Sequence, residues 1–240
     1  YEPSWRRADP VVQRARVDAW VKRYPEIAAR HRDSEGRPPR HTFFFPEDEY
    51  VAEHLDRLAE LCRQGWGDVD VHLHHDRDTP DGFREKLLRY CELLEQRHGL
   101  LRRDETGRLV YGFIHGNFAL NNSRPDGRWC GVDAELPLLH ETGCYADFTF
   151  PSCPDPTQSG LVNLIYWPRG DLGRRRAYDD GEEARVGQRH EDRRSQQRQF
   201  QAGGEQEIKH YFFSSRWLNS WRTRRSSPSR STTSPPTSPP

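Results

Sequence analysis

The sequence predicts an α/β protein, a distorted or incomplete (β/α) barrel, and three observations carry that expectation. Apolar, strand-like runs alternate with helix-period stripes from His41 onward. Titratable groups recur just after those runs, where barrels and doubly wound sheets gather their chemistry. Hydrophobic residues make up 33% of the chain against 31% charged, and the polar excess is concentrated towards the C-terminus, so the central stretch can still build one core.

The elements follow in order. Asp9-Pro10 is a helix start, a capping carboxylate followed by proline at the first helical position. Val17, Trp20, Val21 and Tyr24 then repeat at helical spacing, which predicts a helix to about Arg30. After a Gly/Pro loop, His41–Phe45 is an aromatic strand closed by Pro46. Val51, Leu55, Leu58 and Cys62 mark a helix that Gly65 and Gly67 end, and a second strand begins at once. Phe83, Leu87, Tyr90 and Leu94 form the stripe of the next helix, with Asp81 as its expected cap and Gly99 as its end. Leu109–Ile114 reads as a third strand leading into His115-Gly-Asn-Phe118. Leu136, Leu138 and Leu139 belong to a short helix or turn, and Cys144–Phe150 and Leu161–Trp167 read as further strands.

The 240 residues carry zero formal net charge, so nothing overall implies nucleic acid or an anionic membrane as partner. No apolar run approaches a bilayer span and no signal peptide opens the chain, which together lead us to expect a cytoplasmic protein. A start at Tyr1 and the lack of methionine suggest a fragment or a processed product. The cysteines Cys62, Cys91, Cys130, Cys144 and Cys153 are an odd, scattered set, expected to be mostly buried thiols of a reduced compartment.

The second strand ends in the most chemically loaded stretch. Val69 to Asp78 gathers three histidines and three carboxylates in ten residues. Alternation puts Val69, Val71 and Leu73 on one face and Asp70, His72 and His74 on the other. Two neighbouring imidazoles suit a divalent ion such as zinc, with Asp76 or Asp78 beyond the strand end to supply oxygen. A wet strand end is the plainer alternative. If His75 continues the strand, it faces away from the other two histidines.

Three local motifs, in order, resemble those of the polysaccharide deacetylases of the NodB-homology type. Thr42-Phe-Phe-Phe-Pro46 stands where that family carries a Thr-Phe-Asp-Asp strand end. Gly67-Asp-Val-Asp-Val-His72 with Leu-His-His-Asp76 looks like the motif that supplies metal histidines. Glu141-Thr-Gly-Cys-Tyr-Ala-Asp147-Phe-Thr-Phe-Pro151 looks like the Gly-Phe-x-Tyr-Asp-Ser-Ser segment found later in many members of that family. The resemblance covers roughly residues 41–167 and implies a metal-dependent hydrolase that removes acetyl groups from a carbohydrate. It implies an ion, expected to be zinc, on His72, His74 and Asp76 or Asp78, with Glu47, His115 and Asp147 as candidates for proton transfer. For each of these a structural role competes: Glu47 as a helix-start residue, His115 as a turn hydrogen-bonder, Asp147 as an inward anchor. Phe44 and Phe45 occupy the positions of the family's two aspartates, so those roles do not carry over.

Two alternatives use the same stretch. A His-x-His at a strand end also resembles amidohydrolase and PHP-type phosphoesterase barrels, although there it sits on the first strand. A barrel without its base could instead bind a glycan or a protein partner. The chain therefore divides into an N-terminal helical segment (1–40), a deacetylase-like α/β domain (41–187) and a low-complexity tail (188–240), expected to be disordered from its Gln/Arg/Glu and Ser/Thr/Pro composition.

Overall fold

The computed structural model describes residues 9–168 and 174–184, and the expected tail lies outside them. It is a mixed α/β fold around a five-stranded sheet. The first helix, α1 (Pro10–Ala28), is started by Asp9, whose carboxylate accepts the Val11 N–H at 2.8 Å. It is anchored by Trp20, which stacks on His41 at 4.5 Å and meets Phe43 edge-on at 5.2 Å.

Strand β1 (His41–Pro46) pairs in parallel with β2 (Gly67–Leu73), Phe43 beside Val69 and Phe45 beside Val71. Helix α2 (Ala52–Arg63) makes the crossover and buries Leu55, Leu58 and Leu61. Gly67 opens β2 because nothing larger fits there: a Cβ would stand 2.3 Å from the His41 carbonyl oxygen. The expected alternation holds, with Val69, Val71 and Leu73 buried on one face. Helix α3 (Pro80–Glu92) covers that side with Phe83, Leu87 and Tyr90. Burying each such side chain contributes about 1.5–3 kcal/mol. Its cap is Thr79, whose hydroxyl accepts the Gly82 N–H at 3.1 Å, whereas Asp81 sits in the first turn. Proline at the first helical position moves the start back to Thr79.

The two-residue β3 (Arg102–Arg103) runs antiparallel to β4 (Leu109–His115). β4 in turn lies parallel to β2, with Val71 beside Phe113 and Leu73 beside His115. Helix α4 (Glu135–Thr142) ends on Gly143, in a left-handed conformation at φ +107°, where a Cβ would stand 2.1 Å from the Leu109 carbonyl oxygen. Strand β5 (Cys144–Asp147) then pairs in parallel with β4. The strands expected to reach Phe150 and to span Leu161–Trp167 are shorter than their apolar runs: β5 stops at Asp147, and only β6 (Tyr166–Pro168) pairs, with β7 (Gly181–Glu183). Cys91, Cys130 and Cys144 are buried thiols, Cys62 is partly buried and Cys153 is exposed. No helix among the described residues is long and apolar enough to cross a membrane.

A buried carboxyl braces the sheet. Asp70 accepts the Gly112 N–H at 2.8 Å and the Tyr145 hydroxyl at 2.9 Å, tying β2, β4 and β5 together. Burial lifts it from 3.8 to about 6, against the pull of those two donors. Its folded pKa lies above the unfolded one, so ionisation costs stability: the penalty is absent below about pH 4, grows to about pH 6 and is constant above. Asp70→Asn keeps an acceptor for Gly112 and removes that penalty. Urea denaturation should show the stability difference moving against the wild type by about 2–2.5 kcal/mol between pH 4 and pH 7. A difference that does not change with pH would contradict this.

Candidate metal centre

The three parallel pairings bring the carboxyl ends of β1, β2, β4 and β5 to one edge of the sheet, and the histidines collect there in two sets. His72 and His74 project from one face of β2, their ring centroids 4.8 Å apart. His72 Nδ1 lies 3.3 Å from the Phe44 carbonyl oxygen, to which it donates. His74 Nδ1 lies 3.0 Å from Asp48 Oδ1. Those acceptors hold the ring protons on Nδ1 and leave the two Nε2 lone pairs to face outward from the ring. Both Nε2 atoms converge beside Gly116, where a Cβ would stand 2.4 Å from His74 Nε2 and 2.5 Å from His72 Nε2. His72 Nε2 is buried and makes no hydrogen bond. Burial and the neighbouring His74 push His72 down to about 4, so it is neutral at neutral pH.

The second set lies in the interior. His75 lies two residues after Leu73 and keeps the alternation of β2, so it points into the core, away from His72 and His74, its ring 4.5 Å from that of His115 and 4.7 Å from Phe83. Glu135, at the first turn of α4, stands between the two imidazoles, 3.1 Å from His75 Nε2 and 3.8 Å from His115 Nε2. Cys130 Sγ lies 3.3 Å from the other carboxylate oxygen, which also accepts the Asn121 N–H at 2.6 Å. His75, His115, Cys130 and Glu135 are all buried, with one ligand atom from each lying within 4.8 Å of the others, and this cluster could bind a metal ion. Burial pushes His115 down to about 3 despite the opposing pull of Glu135. Burial pulls the Glu135 carboxyl up, but His115, His75 and the Asn121 N–H outweigh it and hold the carboxyl below its ordinary value. Burial, reinforced by Glu135, raises the Cys130 thiol.

The remaining residues expected from the sequence fall elsewhere. Asp76 accepts the Trp129 N–H at 2.5 Å. Asp78 is paired with Lys86 at 2.9 Å and accepts the Thr79 N–H at 2.9 Å. Glu47 is paired with Arg89 at 3.0 Å. Asp147 is buried at the end of β5 and accepts both the N–H and the hydroxyl of Thr149, whose oxygen accepts the His115 N–H. Burial lifts Asp147 to about 7 against those Thr149 bonds. His72 and His74 are thus brought together, while Asp76, Asp78 and Glu47 each hold a different partner.

Sequence reading passed over Asp48, one residue beyond the Glu47 it named, and Cys130, which carries no spacing signal. Compared with known proteins, the chain matches no family model, no curated protein and no solved structure.

The convergence on Gly116 can be tested directly. Gly116→Ala forces a methyl group into the two imidazoles, whose Nδ1 atoms are already fixed. The variant should lose about 1–3 kcal/mol of stability by overpacking, with displaced His72 and His74 side-chain NMR signals. Wild-type stability with unmoved histidine signals would show that the nitrogens do not meet there.

Proposed function

We propose that the chain is a divalent-metal-dependent hydrolase of the polysaccharide-deacetylase kind, its sheet part of a distorted barrel, that removes acetyl groups from a carbohydrate. The observation that carries this reading is the His72–His74 pair at the carboxyl edge of the sheet. Each ring has its Nδ1 on an acceptor and its Nε2 turned towards one shared point. Imidazoles that bind a metal are held in this way, by a carbonyl or a carboxylate on the other ring nitrogen. The orphaned, buried Nε2 of His72 fits a ligand role and is hard to account for otherwise.

A divalent ion held by His72 and His74 supplies Lewis acidity and a water acidified towards neutrality. The chain's own groups do the rest. His74 keeps 22% of its side chain exposed, so the position opens to solvent and substrate, as a catalytic site must and a structural one need not. Asp48, its side chain 54% exposed, fixes the His74 tautomer. It also takes a proton from water at the mouth and returns it to the departing amine or alcohol. Asp48 follows β1 by two residues, so it restores a carboxylate to the strand end where Phe44 and Phe45 leave none.

Metal-loaded protein should release acetate from N- or O-acetylated oligosaccharides and stop when a chelator is added. His72→Ala with His74→Ala should abolish release, and Asp48→Asn should lower it about 10- to 100-fold. Phosphate release from phosphoesters in place of acetate would move the protein to the PHP-like class. Neither activity in metal-loaded protein would leave a non-catalytic binding role.

A further inference from the structure

We propose that His75, His115, Cys130 and Glu135 form a second, closed zinc site of structural type, separate from the histidine pair at the mouth and independent of whether that pair is catalytic. The four residues come from four segments: the turn after β2, the end of β4, the loop before α4 and the first turn of α4. All are buried, so no open position is left for substrate.

Ligand atoms on a tetrahedral zinc stand roughly 3.3–3.5 Å apart, given Zn–N and Zn–O bonds near 2.0 Å and Zn–S near 2.3 Å. Glu135 Oε1 lies 3.1 Å from His75 Nε2 and 3.8 Å from His115 Nε2, and its Oε2 lies 3.3 Å from Cys130 Sγ. One ligand atom from each of the four residues lies within 4.8 Å of the others, so the cluster must tighten slightly around an ion. His115 Nε2 is buried with no hydrogen bond, and so is His75 Nδ1, which faces Asp78 Oδ2 at 3.7 Å. A proton on His75 Nδ1 turns that contact into an attraction and frees Nε2 to ligate, the carboxylate–histidine arrangement found behind metal sites. The Cys130 sulfur accepts two backbone N–H groups, from Asn122 at 3.3 Å and Val132 at 3.4 Å, which favours a thiolate once an ion is bound.

The loop that carries Cys130 needs such an anchor. Asn121 and Asn122 adopt positive φ, which asparagine visits readily, but Phe118 and Trp129 do so as well, a conformation that bulky residues hold only when the surroundings impose it.

Without an ion, the Asn117 N–H donates to His115 Nδ1 at 3.2 Å and keeps that ring's proton on Nε2, so the groups form a carboxylate ringed by ring N–H and S–H donors. Ligation through His115 Nε2 requires that proton to leave Nε2 for Nδ1 and the Asn117 contact to open. Cobalt substitution separates the two. The full chain refolded with Co2+ should show an intense thiolate-to-cobalt charge-transfer band, kept in His72→Ala/His74→Ala and lost in Cys130→Ser. Elemental analysis should find one metal equivalent fewer in Cys130→Ser, and chelation should lower the melting temperature of the mouth variant. A wild-type cobalt spectrum without a thiolate band overturns the proposal and needs no variant to fold. If only the mouth reading fails, one thiolate-bound equivalent remains. If only this inference fails, histidine-bound metal remains without the band.

Discussion

Glu135 carries a carboxyl into a place without access to water, and an anion there is tolerable only when its lone pairs are matched by donors or a cation. The neighbourhood is arranged around that requirement. The Asn121 N–H, the His75 ring and the Cys130 sulfur all turn towards it, although they lie far apart in the chain. Asn121 returns the constraint through its own side chain, accepting the Leu136 N–H and donating to the Arg174 carbonyl. The long loop between β4 and α4 is thereby pinned at both ends, which puts Cys130 beside the strand ends and lets its carbonyl accept the Asp78 N–H at 2.8 Å.

Much of the fold was legible because it rests on local periodicity. The alternation through Val69, Val71 and Leu73, and the stripe of Phe83, Leu87 and Tyr90, follow from geometries that repeat within a few residues. What could not be read was set by tertiary pairing. His75 was ambiguous because its direction depends on whether the strand alternation continues past Leu73; it does, so His75 shares the buried face of Val71 and Leu73. Cys130 meets Glu135 in a loop with no periodicity, and no spacing announces that they will meet His75. The apolar run from Leu161 promised a longer strand than forms, because only Tyr166–Pro168 finds a partner there. Asp48 lay in plain sight, but its role depends on a His74 ring 26 residues away.

The two histidine sets share a strand end and differ in the property that matters for chemistry. At the mouth, the imidazoles are backed by a carbonyl and a carboxylate and His74 reaches solvent; in the interior, His75 packs on Phe83 and both rings are closed off. The alternation of side chains at His74 and His75 is the boundary between them. One sequence run, His74-His75, therefore presents one imidazole to solvent and seals the other, and Gly116, whose N–H donates to the Leu73 carbonyl at 2.7 Å, holds the next strand against that boundary.

Gly67 is remote from every group discussed as reactive, yet it acts as a proofreader for them. Strand side chains alternate, so sliding β2 by one residue against β1 would exchange its two faces: His72 and His74 would enter the core and Val71 and Leu73 would line the mouth. The absence of a side chain at residue 67 lets that residue lie against His41, which fixes the starting register. A chain in the wrong register would bury imidazoles without partners and expose aliphatic carbon, so the error that destroys the site also destroys the core. Folding thus discards alignments that would misplace His72 and His74 by the same energetics that build the core.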